Sequence, residues 1–540
     1  MMKVVMKKEL ENLINQVIKE LSLAESSFSV EHPNDLSHGD YSTNVAMVLA
    51  KETKKNPKEL AEVIKDKLLE YKSENIEKIE VAGAGFINFH LSKNFFKKSI
   101  QEIIEGGEKF GRNEILVGEK IMVEHTDPNP FKEFHIGHLM PNVIGSSLAR
   151  LLEWNGAEVK QASYQGDVGL HVAKAVWAIK NGHAENSYAV GHKAYEENPE
   201  AKKEIEGINK KIYDKSDNEI NKIYEDGRKA SLEYFETIYK RLGTKFDFYF
   251  FESDAGKIGK EIVEENIGKI FEESDGAVVF KGDKFDPSLH TRVFINSQGL
   301  PTYEAKDLGN AKMKFDKYEY TKSIVVTGNE IKDYFRVVLE AMKMVLPNLA
   351  SITKHLPHGM LRLTTGKMSS RTGNVVTAES LIDEVKEKTE GDEDVALGAI
   401  KYMILRQSIG SDIIFDINQS VSTEGDSGVY LQYAHARASS LIDKATGIEI
   451  AYKERSLVHE VEKLLYRFPE IVERAGGEYA PSYVTTYLTE LASAFNNFYA
   501  HEEVIGDSPE SGTRLAIVKA FKTVMKNGLD ILGIPAPERI

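Results

Sequence analysis

Apolar residues recur at helical spacing in KELENLINQVIKELSL, VAMVLAKE and ELAEVIKDKLLEY, which predicts three helices near the start of the chain. HPNDLSHGDYSTN, before the second, reads as a polar turn segment whose end caps that helix. IEKIEVAGAGFINFHLS then changes to strand alternation, with Gly83 and Gly85 marking a tight or closely approached backbone. These elements predict a small α/β domain over residues 1–110, followed by KFGRNE (109–114) as a linker.

EKIMVEHT (119–126) has the pattern of a buried strand. A Pro/Asn turn and the tetrapeptide HIGH follow, then a helix with Leu139, Val143, Ile144, Leu148, Leu151 and Leu152 on its apolar face. AEVKQASYQGDVG repeats the scheme, a strand near 157–163 and then a glycine turn. Strand, turn and helix in that order predict a Rossmann-like, parallel-sheet α/β domain over 115–390, its ligand at the carboxyl ends of the strands. Residues 186–242, with sparse apolar spacing, predict solvent-facing helices inserted into it. The core pattern resumes in KFDFYFFESD, GAVVFKG, TRVFINSQGLPTY and YTKSIVVTG. Residues 391–540 predict an all-α bundle in GVYLQYAHARASSLIDKA, VHEVEKLLYRFPEIVERA, YVTTYLTELASAFNNFYA and LAIVKAFKTVMKNGLDILGI. In the third, Tyr487, Leu488, Leu491, Ala494, Phe495 and Phe498 form one core stripe, while Tyr433 and Tyr499 fit either core or surface.

Composition narrows this only in places. At about 150 residues per domain, 540 residues allow three or four domains. The absence of cysteine excludes disulfides, thiolate zinc sites and a cysteine nucleophile, and fits a cytoplasmic protein. The start, MMKVVMKKELENL, turns amphipathic at once and does not read as a signal peptide. No apolar run of about 18 residues is present to span a membrane. A net charge of −15 argues against nonspecific coating of nucleic acid. It leaves room for a structured RNA held through local patches of the 69 Lys and Arg.

The chemistry concentrates in two places. His135 and His138 lie one turn apart at a predicted helix start, so both rings can lean over one ligand. Gly137 between them lets a bulky group approach, and the first helical N–H groups attract an anion. These parts suit a nucleotide phosphate. By chance, His-x-Gly-His should occur about 0.03 times in a chain of this composition, so the motif is suggestive. The second is LTTGKMSSRTGN (363–374), where glycines bracket Lys367, Met368, Ser369, Ser370 and Arg371. Two cations between glycines can close over a polyphosphate. From residues alone, a small-molecule nucleotidylyltransferase and a non-catalytic RNA-binding protein remain rivals; the helical tail argues against the first.

HIGH followed by a KMSKS-like loop at the far end of one α/β domain resembles the class I aminoacyl-tRNA synthetases. Further motifs are similar to the arginyl-tRNA synthetases: DPNPFKEFHIGH (127–138), YQGDVG (164–169), YEAKDL (303–308), YLQYAHAR (430–437), APE (536–538), HGDYSTNVAM (38–47) and GAGFIN (83–88). Glu133 stands where that family usually has proline. The resemblance covers essentially the whole chain and implies an arginine–tRNA ligase of three domains: N-terminal tRNA-contacting, catalytic, and helical anticodon-binding.

It also implies the partners ATP, arginine and tRNA(Arg), with Mg²⁺ on the polyphosphate, no protein-built metal site and a monomer. His135, Gly137 and His138 are implied at ATP, with Lys367, Met368, Ser369, Ser370 and Arg371. Asn129, Glu252, Tyr303 and Asp307 are implied at arginine, the two carboxylates facing its guanidinium. Ser370 occupies the fourth position of the loop, where the usual motif has lysine. Many arginyl enzymes that lack it carry a lysine just before the first histidine, here Lys132, which is then expected to hold the phosphates. Around the family's glutamine stretch this chain has GNEIKDYF (328–335), so the glutamine's place falls to Glu330 or Ile331, or is missing.

Overall fold

The computed structural model describes residues 6–364, 376–453 and 457–540. In the N-terminal part, helices Met6–Glu20, Val45–Thr53, Pro57–Glu70 and Lys93–Gly106 cover an antiparallel sheet. Its strand order is Val30–Glu31, Tyr41–Thr43, Phe86–Leu91, Ile76–Ala82. Leu10, Ile14, Leu49, Ile64 and Leu68 share one core with Tyr41, Ile87 and Phe89. The polar segment corrects the reading above: the short strand Tyr41–Thr43 lies within it and Val30–Glu31 runs into it, both too brief for alternation to reveal. Its final Asn44 does not cap the second helix through its side chain. That amide oxygen accepts the Ser29 N–H instead, at 2.9 Å, and so ties the segment down.

The second, α/β domain is built on five parallel strands. They run Thr353–His358, Lys322–Gly328, Lys120–Glu124, Glu158–Gln165, Phe248–Phe251. The chain extends the sheet one way from Lys120–Glu124 and later returns to its other side, which makes that strand's carboxyl end the switch point where ligands bind. Helix Ile136–Trp154 starts there. Its predicted apolar face is buried, and so are Asn142, Ser146 and Ser147. One face was too few: the sheet takes one side and the C-terminal helix Ser511–Leu532 another, with Ser147 donating to the Ile531 carbonyl at 3.1 Å.

Two further expectations need correction. GAVVFKG and TRVFINSQGLPTY do not enter the central sheet; they supply Ala277–Lys281 and Thr291–Ile295 to a separate antiparallel sheet with Glu272–Ser274. The insertion forms helices Ser187–Glu197, Pro199–Asp214 and Asn218–Leu242, and it is not merely solvent-facing. Ile205, Ile208, Ile212 and Ile220 pack on Val168, Val172 and Val176, while Phe235, Ile238, Tyr239 and Leu242 join the main core.

In the C-terminal bundle the Tyr487–Phe498 stripe is buried throughout, and Tyr433 and Tyr499 are exposed. VHEVEKLLYRFPEIVERA is two helices, Glu460–Leu465 and Phe468–Glu478, the second opening at Pro469 where proline's missing N–H costs nothing. Helices Glu252–Glu264 and Tyr303–Lys317 cross at glycine contacts. A Cβ on Gly259 would stand 1.8 Å from the Ala305 carbonyl oxygen, and one on Gly309 1.9 Å from that of Ala255. Gly259→Ala must therefore push the helices apart. It should cost about 1–3 kcal/mol and lower the thermal midpoint. Gly477→Ala, where a Cβ meets nothing within 4 Å, is the control and should be neutral or slightly stabilising. Equal melting curves for the two variants would contradict the glycine crossing.

Candidate active site

The segment between the strand Lys120–Glu124 and the HIGH helix is strained and locked. Thr126, Asp127 and Phe131 all take positive φ, which non-glycine residues rarely adopt. The Thr126 hydroxyl lies 2.7 Å from the His125 ring and accepts the Asn142 amide at 3.1 Å. Asp127 accepts the Tyr164 N–H at 2.7 Å, and the Phe131 N–H donates to Ser231 Oγ at 2.9 Å. Burial, then the neighbouring Glu124, raises Asp127 well above the usual carboxylate range.

His135 is the N-cap of the HIGH helix. Its Nδ1 accepts the Gly137 N–H at 3.0 Å, and His138 Nδ1 accepts the His135 N–H at 3.3 Å. The rings stack at 3.8 Å and 21°. With both Nδ1 atoms accepting, each ring holds its proton on Nε2 and presents an N–H donor. Burial, then the Lys132 charge, lowers His135 to about 4. Burial, then His135, also lowers His138 well below the usual histidine range. The neutral form is favoured: paired N–H donors, not imidazolium cations.

Lys132 is half-buried, its ammonium 4.6 Å from the centre of the Tyr188 ring. Burial, then Lys174, lowers it to about 8. Its charge reaches His135, His138, His171 and Glu252. The loop residues Lys367, Met368, Ser369, Ser370 and Arg371 lie outside the described residues. The far flank of that loop is tied to HIGH: the Val376 carbonyl accepts the Ile136 N–H at 3.2 Å, and the Ala378 N–H donates to Phe134 at 2.8 Å.

Gly166 brings two predicted arginine residues together. A Cβ there would meet Asn129 Oδ1 at 2.2 Å and Glu252 Oε1 at 3.1 Å. The other Glu252 oxygen takes the Lys306 ammonium at 2.5 Å, both groups buried. Asp307, one residue on, accepts the Tyr334 hydroxyl at 2.6 Å and has no ion pair among the described residues. Burial raises it to about 7, against the Tyr334 hydrogen bond and with help from Glu124. Tyr303 is 56% exposed at the mouth, 5.1 Å from the Lys306 ammonium. Glu330 and Ile331 lie in a short 3-10 turn after the strand Lys322–Gly328, with Glu330 folded back onto Gly328.

Sequence reasoning missed Glu124, Tyr164, Lys306, Asn310, Lys314 and Tyr334. Four of the site's residues carried a readable signal: Tyr303, Asp307, Asn310 and Lys314 recur at helical spacing as a polar stripe where apolar residues would be expected. Glu124 is paired with Lys314 at 2.8 Å and accepts the Asn310 amide at 2.9 Å.

A parallel sheet with HIGH at its switch point, and the chain from Val376 rejoining beside it, fits the class I aminoacyl-tRNA synthetases that the motifs resemble. Residues 99–396 match the model "tRNA synthetases class I (R), catalytic domain". Residues 8–91 match "Arginyl tRNA synthetase N terminal domain", and residues 431–540 match "DALR anticodon binding domain". The chain is 30% identical to the arginine–tRNA ligase of Ligilactobacillus salivarius, covering 95% of each chain. It is 32% identical to that of Thermococcus sibiricus, over 98% of each. The arginyl-tRNA synthetase structure from Thermus thermophilus superposes with a TM-score of 0.78 at 26% identity, over 99% of this chain and 100% of that one. The chain belongs to the arginyl-tRNA synthetase family.

Asp167 of YQGDVG is fully buried and organises this site. It accepts from Ser253 N–H at 2.9 Å, Ser253 Oγ at 2.8 Å, Tyr224 OH at 3.2 Å and Arg228 Nε at 2.9 Å. It thus joins the glycine turn, the helix that begins at Glu252, and the insertion. Asp167→Ala leaves a guanidinium and two hydroxyls without their acceptor and should cost about 3–5 kcal/mol in thermal or denaturant unfolding. A loss below about 1 kcal/mol would show that water replaces the carboxylate.

Proposed function

We propose the following division of labour within an arginine–tRNA ligase. The arginine carboxylate attacks the α-phosphorus of ATP and pyrophosphate leaves. The terminal ribose of tRNA(Arg) then attacks the carbonyl of arginyl-adenylate and AMP leaves. The Nε2–H groups of His135 and His138 donate to the α-phosphate as charge builds on it, and Gly137 leaves room for the nucleotide. Lys132 holds the outer phosphates from the HIGH side, with Lys367, Ser369 and Arg371 closing from the loop. Mg²⁺ takes oxygen ligands, whereas the HIGH side offers N–H groups. The donor set therefore fits the phosphates, and Mg²⁺ would be held by phosphate oxygens and water, where it would neutralise polyphosphate charge.

Arginine enters beside Tyr303. Glu252, expected at the guanidinium, is read instead at the α-amino end, because its free oxygen stands beside Asn129 and the other is held by Lys306, and Asp307 receives the guanidinium. The observation that carries this is the pairing pattern. Glu252 and Glu124 each have a lysine, which leaves Asp307 to be compensated by a substrate cation. A lysine substrate brings the charge but not the planar fork. Residues 1–110 contact the tRNA, and residues 391–540 read the anticodon. There Tyr433 and Tyr499 are exposed, with Arg437 5.2 Å from the Tyr499 ring, a surface suited to stacked bases. The protein is read as a cytoplasmic monomer; among the described residues no helix is long and apolar enough to cross a membrane.

ATP–pyrophosphate exchange with each of the twenty amino acids, tRNA present, should be fastest with arginine, and a different winner would sink the assignment. In the same assay Lys132→Ala should lose at least about tenfold in rate with little change in arginine KM. A severe Arg371→Ala with a silent Lys132→Ala would place the compensating charge in the loop.

Asp307 adds a pH test. In the free enzyme it is half protonated near pH 7, and a guanidinium must displace that proton. Arginine affinity should therefore fall about tenfold per unit as pH drops below about 7, and level off above it. His135, lowered to about 4, does not titrate in this window, and His138 is shifted in the same direction. Calorimetry between pH 5.5 and 8 measures it; a flat profile would remove Asp307 from the guanidinium site.

A further inference from the structure

The first inserted helix, Ser187–Glu197, docks closely on the helix Leu170–Lys180 that follows YQGDVG. Gly191 makes the contact possible: a Cβ there would stand 1.9 Å from the Lys174 carbonyl oxygen. Tyr188, His192 and Tyr195 recur at i, i+4 and i+7, so they share one helix face. The Tyr188 and His192 rings stack at 5.9 Å and 14°. His192 Nδ1 lies 3.0 Å from the Lys174 ammonium, which in turn lies 4.1 Å from the Tyr195 centroid. At the end of this series the Tyr188 ring meets Lys132, ammonium to centroid 4.6 Å. Among the described residues Lys132 makes no ion pair, so the ring's negative face is the group its charge rests on.

A lysine on a flexible four-carbon stem has many places to be, and a phosphate-holding ammonium is useful only in one. We propose that Tyr188 is a positioning residue for adenylation: the inserted helix presents its ring as a platform that holds Lys132 at the mouth of the active site, ready for the ATP phosphates. The insertion is then a working part of the adenylation machinery. The ring acts through Lys132, and the proposal rests on the reading of Lys132 as a phosphate-holding cation. Burial beside Lys174 lowers Lys132 to about 8, and a π-face against the ammonium favours its charged form.

The test is a mutant cycle in arginine-dependent ATP–pyrophosphate exchange on the full chain, using Tyr188→Phe, Tyr188→Leu, Lys132→Ala and the Tyr188→Leu/Lys132→Ala double variant. Tyr188→Leu should lower kcat about three- to tenfold and leave arginine KM unchanged. Tyr188→Phe, which keeps the ring face, should restore the parent rate. In the Lys132→Ala background, Tyr188→Leu should change nothing further, because the group it positions is gone. An equal loss in both backgrounds, as damage to the fold would give, overturns the proposal. A Tyr188→Phe variant as slow as Tyr188→Leu overturns it too, since the hydroxyl would then be the active part. A severe Lys132→Ala with a silent Tyr188→Leu defeats the positioning role alone. A silent Lys132→Ala defeats the reading of Lys132 beneath it.

Discussion

Two buried ion pairs hold the centre of this protein together: Lys314 with Glu124 at 2.8 Å and Lys306 with Glu252 at 2.5 Å. Both lysines belong to the helix Tyr303–Lys317, whose polar stripe faces the carboxyl edge of the sheet. A charge moved out of water is tolerated when it is paired and hydrogen-bonded. That condition fixes where the helix lies. Lys314 must reach the end of the strand Lys120–Glu124, and Lys306 must reach the first residue of the helix Glu252–Glu264. The glycine crossing at Gly259 and Gly309 brings the two helix backbones close enough for the second. Asn310, between the lysines in sequence, completes Glu124's hydrogen bonding. The stripe has one more member, Asp307, and no lysine is left for it.

The HIGH side applies the opposite condition. There burial lowers His135, His138 and Lys132 alike, and crowded positive groups push the same way: Lys132 on both histidines, Lys174 on Lys132. The result is a pair of neutral rings beside a weakened ammonium, a site short of negative charge. Because Gly137 N–H and His135 N–H are already given to imidazole nitrogens, the helix start does not offer all its backbone donors to an anion. The ring Nε2–H groups stand in for them. Acidic and basic halves thus meet across the switch point, one short of a cation and the other short of an anion. On the proposed reading, an amino acid with a cationic tail and a nucleotide with an anionic one satisfy both.

Much of this was legible in the chain because regular periodicity reports regular burial. The HIGH helix, the parallel strands around it and the Tyr487–Phe498 stripe all stand where apolar spacing put them. The failures share a cause. Val30–Glu31 and Tyr41–Thr43 are too short to alternate visibly, and Asn44 was spent on Ser29, a contact fifteen residues away that no local rule contains. Ala277–Lys281 and Thr291–Ile295 looked like core strands because they are core strands, of another sheet; pattern reports burial, not partner. Motifs pointed to Asn129, Glu252 and Asp307, and the fold sets the first two together at Gly166. Glu124 was hidden because a single acid ending an apolar strand looks like an ordinary boundary. Only its pairing with Lys314, far along the chain, sets it apart.

The same helix that carries HIGH also carries the join to the bundle. Along Ile136–Trp154, Ser147 donates to the Ile531 carbonyl and Trp154 Nε1 to Asp530 at 3.3 Å. Just beyond its end, Asn155 donates to the Val472 carbonyl at 3.1 Å. Lys401 closes the arrangement from the connecting helix Glu393–Leu405. It donates to the Leu242 carbonyl at 2.8 Å and the Gly533 carbonyl at 2.5 Å. Those carbonyls end the last inserted helix and the last helix of the bundle, so one ammonium sits at two negative helix termini. Burial, then Arg150, lowers Lys401 to about 7, which measures how costly that charge is away from water. A group so placed tolerates little displacement of either terminus. A shift of the bundle therefore has to be taken up along the HIGH helix or within the insertion. The insertion is where Tyr188 meets Lys132, and the HIGH helix is where His135 and His138 stand.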